Sequence, residues 1–215
     1  GFGNVLEASD DHITELFQPG VEVIKDGDTL SKVGDNVTYN YTINNLSSSD
    51  SPDLVLVSVS DTGDNNNGAG LGDLTAAAAA AGCDVLPPGG SCGFSVVYTV
   101  LADDDDPLDN IVSVLYNPEG FPNEITDDDD HSVNLFQPSV TIDKTGDDLS
   151  KVGDPVNYTI TVENTSSADS PNLTCDISDP MLGLIKQVNL PPGGIDVTNA
   201  GYIVQPGDPD PLYNE

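Results

Sequence analysis

The residue pattern is that of an all-β protein, two copies of one β-sandwich in tandem, with the second copy shorter. Three observations lead there. Phrases recur at a fixed distance: His131 minus His12, Lys151 minus Lys32 and Pro171 minus Pro52 each give 119, the span of one structural repeat. Short runs alternating apolar and polar residues are separated by clusters of Gly, Pro, Asp and Asn, the mark of strands joined by turns. No run of about 18 apolar residues exists to form a membrane-spanning helix.

In the first copy, Val21–Lys25 and Val37–Ile43 read as strands, with Lys32-Val33-Gly34-Asp35 as a turn between them. Asn44–Asp53 is a loop, Leu54–Ser60 the third strand and residues 64–70, rich in Asn and Gly, an exposed loop. Ala76–Ala81 follows Asp73-Leu74-Thr75 and precedes Gly82. An acidic or hydroxyl cap, good helix formers and a terminal glycine predict about two turns of helix, which plug one end of the sandwich. Phe94–Leu101 and Asn110–Tyr116 are the last strands. This order of short strands argues for an immunoglobulin-like sandwich.

The second copy repeats the order with one deletion. Leu190-Pro191-Pro192-Gly193-Gly194 matches Leu86–Gly90 at an offset of 104, so about 15 residues, the alanine helix among them, are absent. The division expected is an N-terminal extension (1–11), a first domain (12–119), an acidic linker (120–130) and an incomplete second domain (131–215). Ile111, Val112, Val114 and Leu115 show what a closing strand contributes. Without four such side chains, at about 1.5–3 kcal/mol each, the second domain forgoes much of the roughly 5–15 kcal/mol by which a domain is stable, and it exposes a sheet edge.

The 215 residues suit two domains with cores of their own. Five lysines, no arginine and 37 acids give a net charge of −32. That excludes nucleic acid, whose phosphates need clustered cations, and disfavours anionic membranes. Such charge makes the protein repel itself, and divalent cations are the obvious remedy. Beginning at Gly1-Phe2-Gly3, the chain reads as a processed or excerpted form of a secreted protein.

Val140-x-Ile142-x-Lys144-x-Gly146-Asp147, Val152-Gly153-Asp154-x-Val156-x-Tyr158-x-Ile160-x-Val162-x-Asn164, Leu190–Gly194 and Asn110-x-Val112-x-Val114 resemble the prokaryotic surface-repeat domains numbered eleven among domains of unknown function. The resemblance spans both copies and implies secreted or wall-attached proteins, in long arrays and sometimes in fibres. The absent last strand departs from the family pattern.

Residues 1–11 echo 120–130, so the chain opens with the tail of a repeat that is not there. The expectation is a filament or surface-appendage subunit that joins head to tail, its N-terminal segment completing the second domain of another copy by strand addition. Gly1, Phe2, Val5, Leu6, Tyr213 and Asn214 are the candidate contacts. The plain alternative is an excerpt of a longer array. From another class, the module is the stalk of an adhesin with a ligand-binding tip.

Other residues carry weaker signals. Asp10, Asp11, Asp103, Asp104, Asp105, Asp106, Asp127, Asp128, Asp129, Asp130, Asp208 and Asp210 form acidic loops and a junction suited to calcium, against the plain reading of a solvated face. No cofactor is otherwise called for. Cys83 and Cys92 flank Leu86–Gly90 and either close a short loop as a disulfide or stay as two buried thiols; Cys175 is left over, as a core residue or an intersubunit bridge. His12 and His131 follow paired aspartates, as structural groups or metal ligands. Asn36, Asn40, Asn45, Asn157, Asn164 and Asn172 head Asn-x-Ser/Thr sequons, and with Ser47–Ser49 are candidates for glycans. Lys25 and Lys144 sit on equivalent first strands, with Asn110 and Asn117 bordering the last. They are either solvated or salt-bridged, or partners in a carboxylate-promoted amide cross-link. No nucleophile elbow, zinc-binding helix or phosphate loop is present, so no enzyme is expected.

Overall fold

The computed structural model describes residues 3–63 and 70–215; the loop expected at 64–70 and the candidate contacts Gly1 and Phe2 thus fall largely outside the described residues. The protein is all-β and divides into two units, 1–134 and 135–215.

In the first unit β1 (Val21–Gly27), β3 (Asn36–Asn45) and β7 (Ser91–Thr99) form one antiparallel sheet in the order β1-β3-β7. The other sheet runs β2-β9-β8-β4-β5, from β2 (Leu30–Ser31), β9 (Ile125–Leu135), β8 (Leu108–Pro118), β4 (Leu54–Gly63) and β5 (Gly72–Asp73), with β6 (Val85–Leu86) also on β4. Alternation sets the inner faces, as a pleated strand requires. Val37, Tyr39, Tyr41 and Ile43 point inward from β3, and Leu108, Val112, Val114 and Tyr116 from β8. Ile111 and Leu115, read as closing-strand core, lie on the other face and are only half-buried.

Besides the deletion, the 119-residue period has a one-residue exception. In β4 the register against β8 shifts between Leu56 and Ser58, a bulge that gives this strand one residue more than its counterpart. Leu54 therefore matches Leu173, but Asp61 matches Asp179.

The alanine run forms α1 (Thr75–Ala78), which winds on through a wider turn to Cys83, with Gly82 at φ 84°. Its cap differs from expectation. Leu74 holds the cap position, Asp73 accepts from the Thr75 amide, and the Thr75 hydroxyl accepts from the Val59 amide. A capping side chain is replaced by tethers to β4. Leu74, Ala78 and Cys83 are buried where α1 packs on β4 and β7, strands of different sheets. Cys83 and Cys92 form a disulfide there.

The expected acidic linker is a strand. Ile125–Leu135 pairs along β8 from Leu108↔Val133 to Tyr116↔Ile125, so the first domain extends past residue 119. Aspartate is a poor strand former, but here the run has an outer face in solvent and an inner face with hydrogen bonds to make.

The second unit carries β10 (Val140–Gly146), β11 (Pro155–Asn164) and β14 (Ile195–Ile203) as one sheet, and β12 (Leu173–Asp179) with β13 (Leu184–Leu190) as another. Ile160, Val162, Ile177 and Leu190 make its core, with Cys175 packed against them. Both units fasten one turn in the same way. Asn45 donates from its side chain to the Leu86 carbonyl, as Asn164 does to that of Leu190. Among the described residues β12 pairs with β13 alone, whereas its counterpart β4 also pairs with β8, which in turn pairs with β9.

Candidate interaction edge of the second domain

An edge strand presents every second backbone amide outward. In the first domain two of those of β1 have partners. Asp127 Oδ2 accepts from the Val23 amide at 2.8 Å and Asp129 Oδ2 from the Lys25 amide at 2.7 Å. Two carboxylates thus close the edge that a further strand would otherwise occupy. Because side chains alternate along β9, Asp127 and Asp129 turn inward, while Asp128 and Asp130 face solvent.

Behind this edge lies a buried charged pair. Lys25 Nζ stands 2.9 Å from Asp61 Oδ2, with both side chains wholly covered. The Tyr41 hydroxyl donates to the same oxygen at 2.6 Å, and the ammonium sits 4.6 Å above the Tyr39 ring. Burial pulls the Lys25 pKa below its ordinary value, against the hydrogen bond and charge of Asp61. Burial likewise raises both tyrosines, with Asp61 adding to the effect. The lysine is salt-bridged but not solvated.

The second domain keeps the frame without the cover. β10 pairs with β11 in the register that joins β1 to β3, yet Ile142 is 66% exposed where its counterpart Val23 is 3% exposed. Among the described residues no carboxylate meets the amides of Ile142 and Lys144. Lys144 Nζ reaches Asp179 Oδ2 at 2.6 Å, and Asn214 Nδ2 donates to the same oxygen at 3.0 Å. Burial acts to raise the Asp179 pKa, but the bonds from Lys144, the Leu182 amide and Asn214 hold it below its ordinary value. Beside this cluster runs a groove of about 420 Å³, whose apolar lining includes Leu149, Val152, Val156, Tyr158, Val204 and Leu212. Leu149 is 90% exposed. Its first-domain counterpart is Leu30 of β2, the strand that borders β9.

The N-terminal segment is the repeat counterpart of β9: residues 6–16 match 125–135. As far as Gln18 it makes no strand, and Val5, Leu6, Ile13 and Leu16 are all more than four-fifths exposed. Of the candidate contacts, Tyr213 is also exposed, whereas Asn214 is held by Asp179.

Other candidate groups have local duties. Asp104 accepts from the Tyr98 hydroxyl and the Leu101 amide, as Asp208 does from Tyr202 and the Gln205 amide. Among the described residues no three His, Cys, Asp or Glu side chains converge to hold a metal ion; the period of the strand splits Asp127–Asp130 between two faces. His131 Nε2 lies 2.9 Å from the Asp28 carbonyl oxygen, with the ring edge-on to Tyr39. Asn36, Asn40, Asn157 and Asn172 are exposed. Asn45 and Asn164 are not glycan acceptors in the fold, because both are buried with their amide nitrogens bound to a turn carbonyl.

No family model and no curated protein matches the chain. Among solved structures, the crystal structure of red sea bream transglutaminase aligns over 91% of this chain and 28% of its own length, at 11% identity and a TM-score of 0.30.

Proposed function

We propose that the protein is a structural subunit of an extracellular filament or surface appendage, in which residues 6–16 of one copy cover the second domain of another. The supporting observation is a match within one chain between an open edge and an unpaired segment of the kind that covers the same edge in the first domain. Asp10 matches Asp129, so in the complex it accepts from the Lys144 amide as Asp129 does from that of Lys25. Leu16 enters the apolar groove. The neighbouring strand position is entered by Leu212–Glu215, where Asn214 is already held. Such a contact joins unlike surfaces and propagates instead of closing. Its role is mechanical, and a disulfide suits an oxidising, extracellular setting.

Calcium between acidic loops and glycans at the exposed sequons remain compatible additions to this reading. Electron microscopy of the purified chain beside a version lacking residues 1–16 tests it. Filaments that vanish with the deletion are expected; filaments unchanged by it contradict donation.

A further inference from the structure

We infer that the first domain forms an internal amide cross-link between Lys25 Nζ and the side-chain carbonyl carbon of Asn110, promoted by Asp61. This goes beyond the filament reading and does not depend on it.

Three placements carry the inference. Lys25 and Asp61 are in contact and shielded from water. Asn110 is wholly buried on the inner face of β8, opposite Gly63, and Asp61 lies two residues before Gly63 on that face of β4. Glycine contributes no side chain there, so Asn110 faces Asp61 diagonally across the two strands, a separation that side chains span. β1, which carries Lys25, packs against β8, which carries Asn110. Asn117, the other asparagine considered, is half-buried near the far end of β8 and bears on neither group.

The second domain shows the same three residue types converging. Lys144 and Asn214 both bond to Asp179 Oδ2, and Asn214 matches Asn110 at the offset of the shared turn. A Lys–Asp–Asn set placed twice by one fold, although β4 has a bulge and β12 has none, is a positioned group rather than a chance cluster.

The chemistry balances without a co-reactant. Asp61 takes a proton from the Lys25 ammonium and leaves a neutral amine, the form that desolvation favours and that a nucleophilic lysine requires. The Nζ lone pair attacks Cγ of Asn110. Asp61 then relays a proton from Nζ to Nδ2, the Cγ–Nδ2 bond breaks, and ammonia departs, taking up the lysine's original proton in water. One C–N bond replaces another, nothing is oxidised or reduced, and Asp61 ends as it began. Lys144 is 20% exposed at its side chain, whereas Lys25 is wholly covered, so water reaches the second set and not the first.

Mass spectrometry of the reduced, denatured chain and of its tryptic digest tests the inference. The expected result is a mass lower by one ammonia, trypsin blocked at Lys25, and a peptide pair joined through Lys25 and Asn110. A succinimide at an asparagine loses the same mass, so the joined pair decides. Asp61→Asn should restore both the full mass and cleavage; if that variant does not fold, the wild-type digest still decides. Cleavage after Lys25 with no joined pair overturns the inference, whatever the second domain shows.

Discussion

The two domains share a frame and differ in cover. The same register joins β1 to β3 and β10 to β11. The same asparagine fastens the same turn, and the same lysine meets an aspartate. Among the described residues, only in the first domain do two further strands adjoin these groups, and there Val23 and Lys25 are buried, while the aspartate, Asp61 or Asp179, is buried in both. The difference teaches that the cover over this edge comes in the first domain from β9, whose Asp127 and Asp129 accept from the β1 amides, and residues 6–16 match that strand in sequence.

Substitutions made in pairs break or sharpen the contrast. The largest difference should come from the lysines. Lys25→Ala strands a buried carboxylate and should cost the first domain about 3–5 kcal/mol, whereas Lys144→Ala should cost less, because Lys144 is partly exposed and Asp179 keeps its bonds from the Leu182 amide and Asn214. Denaturant melts monitored separately for each domain would read both; equal losses would mean that the two sites are equally covered. Next, Val23→Ala should cost about 1.5–3 kcal/mol, and Ile142→Ala at most about 0.5 kcal/mol. A large Ile142→Ala effect that appears only on concentration would mark burial by another copy. Reducing Cys83–Cys92 should destabilise the first domain alone, by about 2–3 kcal/mol for so short a loop.

Acid gives a smaller effect, with a defined sign. Asp179 titrates lower in the fold than in the unfolded chain. Its contribution is full above the ordinary carboxylate pKa and disappears as pH falls through the folded one. The second domain should therefore weaken below about pH 4, and Asp179→Asn should flatten that part of a pH–stability curve. Smallest is the effect of salt. Both the proposed donor segment and the rim of the groove are acidic, so association should rise moderately with ionic strength as repulsion is screened.

Much of the fold was legible in the sequence, because repetition and alternation are strong signals. The 119-residue offset gave the units, and β1, β3, β4, β7 and β8 followed from period-two patterns and turn residues. β9 was not legible. Asp127–Asp130 has the composition of a solvated run, and what makes it a strand is a pair of amides on β1, distant in sequence and exposed in no pattern. The echo of 125–135 in 6–16 was the available signal, because a linker has no reason to repeat. Asp61 was hidden by the bulge at Leu56–Ser58, which shifts it out of the common offset from Asp179. Asn45 and Asn164 match a sequon in sequence, yet only burial shows that their amides belong to a turn.

The most direct measurement is hydrogen exchange at the amides of Ile142 and Lys144, read against those of Val23 and Lys25. With concentrated full-length chain, β10 should gain protection approaching that of β1, and should lose it on dilution or on removal of residues 1–16. Protection of β10 that persists through both would show that the second domain closes by itself, and would contradict the account.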